Sequence, residues 1–361
     1  MCTKYHNGYR YLFVLIALLY IGCVSNNRQY AIPVFDKKSE IRFEKLTGEE
    51  LYTIIRDIWV YKSYLLVYGF QNNYQLHIYD KTSGKKILET IAVGRGPKEM
   101  NGIDCMRLDS KNGIVTAYDY MQDKKLSFQV DSLVKNGFDA ISEQKYVSPV
   151  WSRATVPLHR GELIVKNIGN KAQDTVGIVR LEIRNDTGSI VAQNDNFPFE
   201  AQDLRFNVYN ESRVSVSPDE TRLAIGTIWG GILETYSLND GIEHINTGYF
   251  AKPDIITGEA PGFTEETVLG FSDIYATNDK VYTSFDGIQK AKEFMNIPSD
   301  RRPLQFNKID IFDWQGHGIE EIVTDYNVLN LCVDTDKTIY AAIYDNDGRF
   351  YLGKITPGTD K

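Results

Sequence analysis

The chain has 361 residues, a formal net charge of −8, 42% hydrophobic residues and 24% charged residues. This is enough for two ordinary domains or one large repeat fold, and it excludes a disordered or collagen-like chain. The acidic balance excludes a nucleic-acid backbone binder, which needs clustered Lys and Arg, while 23 Tyr and 17 Phe favour pleated, half-buried strands.

Residues 1–10 carry Lys4 and Arg10 and no acid, and residues 11–21 (YLFVLIALLYI) form an unbroken apolar run. As a helix this run measures about 16 Å against a hydrocarbon core of about 30 Å, too short to span a bilayer but suited to a secretory signal. It ends in Ile21-Gly22-Cys23, a small residue before a cysteine. These residues resemble a bacterial lipoprotein lipobox, with Tyr20 where that family has Leu. The resemblance implies cleavage after Gly22 and lipidation of Cys23. It also implies an outer-membrane anchor facing the periplasm, since Val24 is not the retaining Asp and no acidic run follows. A plain secretory signal with an incidental cysteine is the alternative. On this reading residues 1–22 are a signal peptide, 23–38 a tether and 39–361 the folded body. Cys105 and Cys332 remain in units that are not neighbours, so both are expected as unpaired thiols.

Beyond the tether a pattern recurs: an apolar strand, a short polar turn, then a second strand opening on an aliphatic residue. It appears in WVYKSYLLV, RLDSKNGIVTA, VPLHRGELIV, VSVSPDETRLAIG, IYATNDKVYTS and CVDTDKTIYAA, with anchors Leu65, Ile114, Leu163, Leu223, Val281 and Ile339. The anchors lie 49, 49, 60, 58 and 58 residues apart. Six units of about fifty residues, each with room for four short strands, predict an all-β fold, a six-bladed β-propeller. Two stacked sandwich domains would share the strands and turns but predict no fixed period. In the first unit the strands fall near 54–61, 64–69, 74–80 and 86–92, with Ser83-Gly84 at the last turn. Only 22 residues follow Ile339, enough for two strands, so the outer strand of the sixth blade must come from elsewhere. The segment 40–46 (EIRFEKL) alternates with period two and is placed there, closing the ring and removing exposed edges.

Two turns carry a resemblance. Ser217-Pro218-Asp219-Glu220 followed by Arg222-Leu223-Ala224 resembles the SPDG-x-x-[IL]-A turn of TolB-like propellers, with Glu220 replacing the usual Gly. Gly94-Arg95-Gly96-Pro97-Lys98-Glu99 resembles the G-x-G-P-x-E loop after the first blade of Bacteroidetes six-bladed propeller lipoproteins. The resemblance implies an envelope lipoprotein and brings no catalytic residues. From the residues themselves, Gly94 and Gly96 are expected to permit positive φ in a turn carrying blade 1 into blade 2. Gly258–Gly262 echoes it before blade 5.

Counting back from the anchors places Asp57, Asp104, Arg153, Arg213, Asp273 and Asn330 near the start of the inner strands, as a polar ring in the channel. On the face shared by the loops leading into the inner strands and those joining second and third strands fall Arg95, Lys98, Trp151, Arg205, Tyr209 and Trp229. The insertion 286–307 projects there too, with a short helix at 288–295 and Arg301-Arg302-Pro303 behind it. Trp and Arg are enriched at binding hot spots, so this is the expected partner face. The five His (His6, His77, His159, His244, His317) are scattered, with no zinc spacing and no G-x-S-x-G elbow. Asp345–Gly348 lacks the spacing of a calcium loop and reads as a hairpin turn.

The sequence therefore reads as a monomeric envelope lipoprotein that binds a protein or glycan. It has no nucleic-acid partner, no cofactor and no membrane contact beyond its lipid. The alternative is a metal-dependent hydrolase of the six-bladed lactonase type, with Asp57, Asp104, Asp273 and Asn330 holding Ca²⁺ or Mg²⁺. Arg153 and Arg213 in the same ring oppose a cation.

Overall fold

Short apolar stretches separated by two- to four-residue polar turns fold locally into antiparallel meanders. A computed structural model describes residues 30–48, 52, 54–103, 105–146, 155–159, 161–164, 181–185, 187–194, 209, 212–256, 262–286, 290, 306–345 and 347–356. Six meanders are the blades of a propeller. Blade 1 runs Ile54–Tyr61, Tyr64–Gln71, Tyr74–Asp80 and Lys86–Ala92. Its second hairpin turns on Asn72 and Asn73, both at positive φ (51° and 66°), as a two-residue turn matched to strand twist requires. The first strands of blades 2 to 6 are Cys105–Asp109, Thr155–Leu158, Arg213–Val216, Phe271–Ala276 and Asn327–Val333. Blade 2 adds a short helix, Val130–Asn136, that the repeat pattern does not predict; Val130 and Leu133 anchor it.

The middle strands are buried on both faces, because each blade is sandwiched between two others. Among the described residues, the buried apolar side chains fall into five clusters at the seams between blades 1–2, 3–4, 4–5, 5–6 and 6–1. Buried polar side chains of the third strand bond to backbone carbonyls instead. Gln75 donates to the Met100 carbonyl at 2.7 Å, and His77 meets the Gly69 carbonyl at 3.1 Å. Five of the six anchors are buried; in blade 2, Ile114 is 39% exposed and Val115 fills the core position, one residue later. Ile114 precedes the inward position because Asp109–Gly113 forms a longer turn.

Closure uses the N-terminal segment twice. Glu44–Lys45 pairs with Phe350–Ile355 as the outer strand of blade 6, the position expected. The preceding residues differ from expectation: Phe35–Ile41 is a fifth, parallel strand on blade 5, beside Gly318–Thr324. Charge and packing select that course, with Lys37 on Glu320 (3.1 Å), Lys38 on Glu321 (3.0 Å) and Phe35 against Phe312. Residues 35–38, read as tether, thus belong to the folded body. Neither Cys105 nor Cys332 is in a disulfide, as expected.

Candidate functional site

The channel is lined by the first strands, and its polar groups are delivered by a repeated irregularity. In blades 1, 5 and 6 the pairing of first and second strands slips at one place, between Ile55 and Asp57, Phe271 and Asp273, and Val328 and Asn330. A β-bulge leaves its extra residue unpaired and re-aims the side chains around it. The freed carbonyls are taken up by the blade before: Asn330 donates to the Arg56 carbonyl (3.0 Å) and Arg213 Nε to the Ser272 carbonyl (2.7 Å). The Asp273 carboxylate accepts the Leu331 amide at 2.7 Å, stitching blade 5 to blade 6.

Asp57, Arg213, Asp273 and Asn330 are thus brought to one level of the channel; Asp104 and Arg153 lie outside the described residues. Burial pushes the Asp57 carboxyl well above its ordinary range, helped by the neighbouring Asp273 carboxylate and opposed by the Ile58 amide and Arg213. Burial likewise raises Asp273 to about 6, against the pull of Arg213 and of its amide donors. The Asn330 carboxamide oxygen is buried without a hydrogen bond among the described residues. Asp57, Asp273 and Arg213 border a cavity of about 260 Å³ together with Arg56, Cys105, Arg107 and Tyr275. Ser110, Pro218 and Tyr275 also border a larger recess, about 850 Å³, at the opposite mouth. That recess is lined by Lys62, Lys81, Lys111, Lys280 and Lys337 against Asp219, Asp279 and Asp334.

On the loop face, Gly94–Glu99 is a rigid collar around one carboxylate. Glu99 accepts the Gly96 amide at 2.8 Å, and Lys124 donates to the carbonyls of Gly96 and Glu99 at 2.9 Å each. Neither Gly94 nor Gly96 has positive φ; Lys98 does, at 56°. The two glycines serve close approach instead, since a Cβ would stand 2.0 Å (Gly94) or 2.9 Å (Gly96) from the Glu99 carboxylate. Arg95 is exposed at the crest of the collar. Lys98 is tied down, its ammonium on the Phe138 carbonyl (3.1 Å) and its amide on Glu143. Trp229 is half-buried on the blade 4 loop, tilted against Phe263 with ring centres 5.4 Å apart.

Tyr209 is not presented to a partner as expected: it is 1% exposed and its hydroxyl donates to the buried Glu234 carboxylate, which also receives Tyr236. A phenol near a buried carboxylate is drawn inward to satisfy it. Trp151, Arg205, Arg301 and Arg302 lie outside the described residues, as do Cys23, the echo at 258–261 and the expected helix apart from Lys290, which pairs with Glu266. Asp345 accepts the amides of Asp347 and Arg349, with Gly348 at φ 76°, so this segment is the expected hairpin turn.

Two groupings escaped the sequence reading. Arg56 precedes Asp57 and faces the cavity only because of the bulge. His159 sits between Asp109 (2.7 Å) and Glu220 (3.0 Å), and Glu220 also holds Arg107 at 2.7 Å, so blades 2, 3 and 4 are clasped beneath the channel. Glu220 adopts φ 59°, which accounts for the Gly usual at that turn position. No local spacing links residues 109, 159 and 220; only the repeat register could have found them.

The TolB-like 6-blade propeller-like family matches residues 35–336. The chain belongs to this family. The TolB-like match leaves out only the final strands of blade 6 and the N-terminal segment before the clasp on blade 5. In overall structure the chain is similar to a Bacteroides fragilis protein assigned as exported. That likeness has a TM-score of 0.53 and 13% identity, over 89% of this chain and 99% of the other. It is also similar to a DUF4221-family member from Bacteroides vulgatus, with TM-score 0.49 and 12% identity over 88% and 98% of the two chains. At 13% identity the first likeness establishes the shared fold alone. No curated protein sequence matches the chain. Among the described residues no helix is long and apolar enough to cross a membrane, and no three His, Cys, Asp or Glu are grouped to hold a metal ion.

Proposed function

We propose that this TolB-like propeller is an envelope lipoprotein, acylated at Cys23, that binds a protein or glycan partner on its loop face. The observation that carries the reading is the construction of that face. Arg95 is held exposed on a collar braced by Glu99 and Lys124, and Trp229 is buttressed by Phe263. A rigid support spares the loop backbone its ordering cost on binding, and Arg and Trp are the side chains enriched at interface hot spots. The TolB-like fold and its likeness to a protein assigned as exported support a binding or scaffolding role at the envelope.

The test is affinity purification of the tagged protein from cross-linked envelope fractions, comparing wild type with a combined Arg95→Ala, Trp229→Ala and Arg301→Ala variant. Loss of the specific partner in the folded variant supports the reading, and an unchanged partner set refutes it. Cys23→Ser tests the anchor: the variant should move from the detergent phase to the aqueous phase on phase separation. If it partitions as wild type does, the lipid reading is wrong.

A further inference from the structure

We propose that the channel cavity is a second binding site, independent of the loop face, for a small organic carboxylate that also carries a hydroxyl or ammonium donor. Arg56 and Arg213 would take its anionic end, and Asp57 and Asp273 the donor end.

The Arg213 Nε–H is fixed on the Ser272 carbonyl, which sets the plane of the guanidinium. Among the described residues its terminal nitrogens make no hydrogen bond, and it stands in no ion pair. It nevertheless acts electrostatically on both Asp57 and Asp273. The charges face one another across a gap. The Arg56 side chain makes no hydrogen bond or ion pair to a described residue either, although its backbone carbonyl is used by Asn330. Among the described residues that border the cavity, the third arginine, Arg107, is committed to Glu220.

Arg213 is half-buried and Arg56 solvent-exposed at the cavity wall, so terminal N–H groups without a protein acceptor are open to one from a ligand. Two forks bordering one cavity match a carboxylate, which accepts paired N–H groups in its own plane. The facing carboxyls do not take up the arginines' terminal N–H groups, since no hydrogen bond or ion pair joins them among the described residues. They suit a donor instead. At about 260 Å³ the cavity lies just below the range of drug-sized pockets, roughly 300–1,000 Å³, so its occupant is metabolite-sized and not a polymer. The route in is the wider recess that shares Ser110, Pro218 and Tyr275 with the cavity, where five lysines outnumber three aspartates, a balance that favours approach of an anion.

The test is calorimetric titration of the mature chain in chloride-free buffer with L-glutamate, L-malate and inorganic phosphate, each to about 10 mM. Saturable binding of glutamate or malate that weakens at least tenfold in Arg56→Gln supports the proposal. Arg56→Gln is the primary variant because that side chain holds nothing in the fold. Arg213→Gln should abolish binding, and its unfolding midpoint checks that the Ser272 contact has not been lost with the fold. Binding should persist in Arg95→Ala with Trp229→Ala, which separates this site from the loop face. No heat with any probe, equal binding in Arg56→Gln, or binding of phosphate alone would each overturn the assignment.

Discussion

Restoring the family's residue at position 220 should weaken the protein. Glu220 occupies left-handed backbone (φ 59°), a conformation that costs an L-residue about 1–2 kcal/mol. Glycine would recover roughly 1 kcal/mol of this once its greater freedom in the unfolded chain is counted. Against that gain stands the Arg107–Glu220 pair at 2.7 Å, whose side chains are only 13% and 11% exposed. Removing the carboxylate from such a pair costs more than the ~1 kcal/mol of a surface bridge and less than the 3–5 kcal/mol of a fully buried one, because Arg107 also holds the Pro157 carbonyl. The His159 amide loses its acceptor as well, about 1 kcal/mol. The balance for Glu220→Gly is a loss of about 1–3 kcal/mol, read from urea unfolding followed by tryptophan fluorescence. In an Arg107→Ala background the same substitution should be neutral or stabilising. If Glu220→Gly matches or exceeds wild type while Arg107 is present, the clasp does not outweigh its backbone strain and the reasoning fails.

Asp310 is 1% exposed, with one carboxyl oxygen unpaired, and burial beside Glu321 raises it to about 7. Since the folded value exceeds the unfolded one, its contribution is complete below about pH 4 and is lost as pH rises through about 7. Asp310→Asn should therefore raise stability at pH 8 by about 1–3 kcal/mol and flatten the pH profile above pH 5; an unchanged slope would rule this out. Deleting residues up to 34 should leave a folded monomer, whereas deletion through 46 bares the outer edges of blades 5 and 6 and should produce soluble oligomers or aggregate on size-exclusion chromatography. Gly270→Ala would place a Cβ 1.8 Å from the Gly230 carbonyl oxygen and should cost about 3 kcal/mol or block folding; Gly102→Ala, with nothing within 4 Å, is the neutral control.

The six blades and the closure of the sixth by the N-terminal strand were legible in the amino-acid order alone, because turn chemistry and aliphatic spacing are local and the repeat copies them. The depth of Asp57, Arg213, Asp273 and Asn330 in the channel was legible for the same reason: counting eight to ten residues back from each anchor, as turn length varies, reaches the start of these four inner strands. What that count could not contain is the bulge, a slip of register against a partner strand, and it is the bulge that frees the Arg56 and Ser272 carbonyls for Asn330 and Arg213. The collar shows the same limit, since glycine there answers a steric demand from Glu99 and not a dihedral one. Tyr209 was misplaced because an aromatic in a loop segment gives no sign that a buried carboxylate, Glu234, waits in the adjoining blade. The clasp of Asp109, His159 and Glu220 joins three repeats about fifty to sixty residues apart. Local order specifies each blade, but contacts between blades depend on how the ring is wound, and only the tertiary structure decides which side chains meet across it.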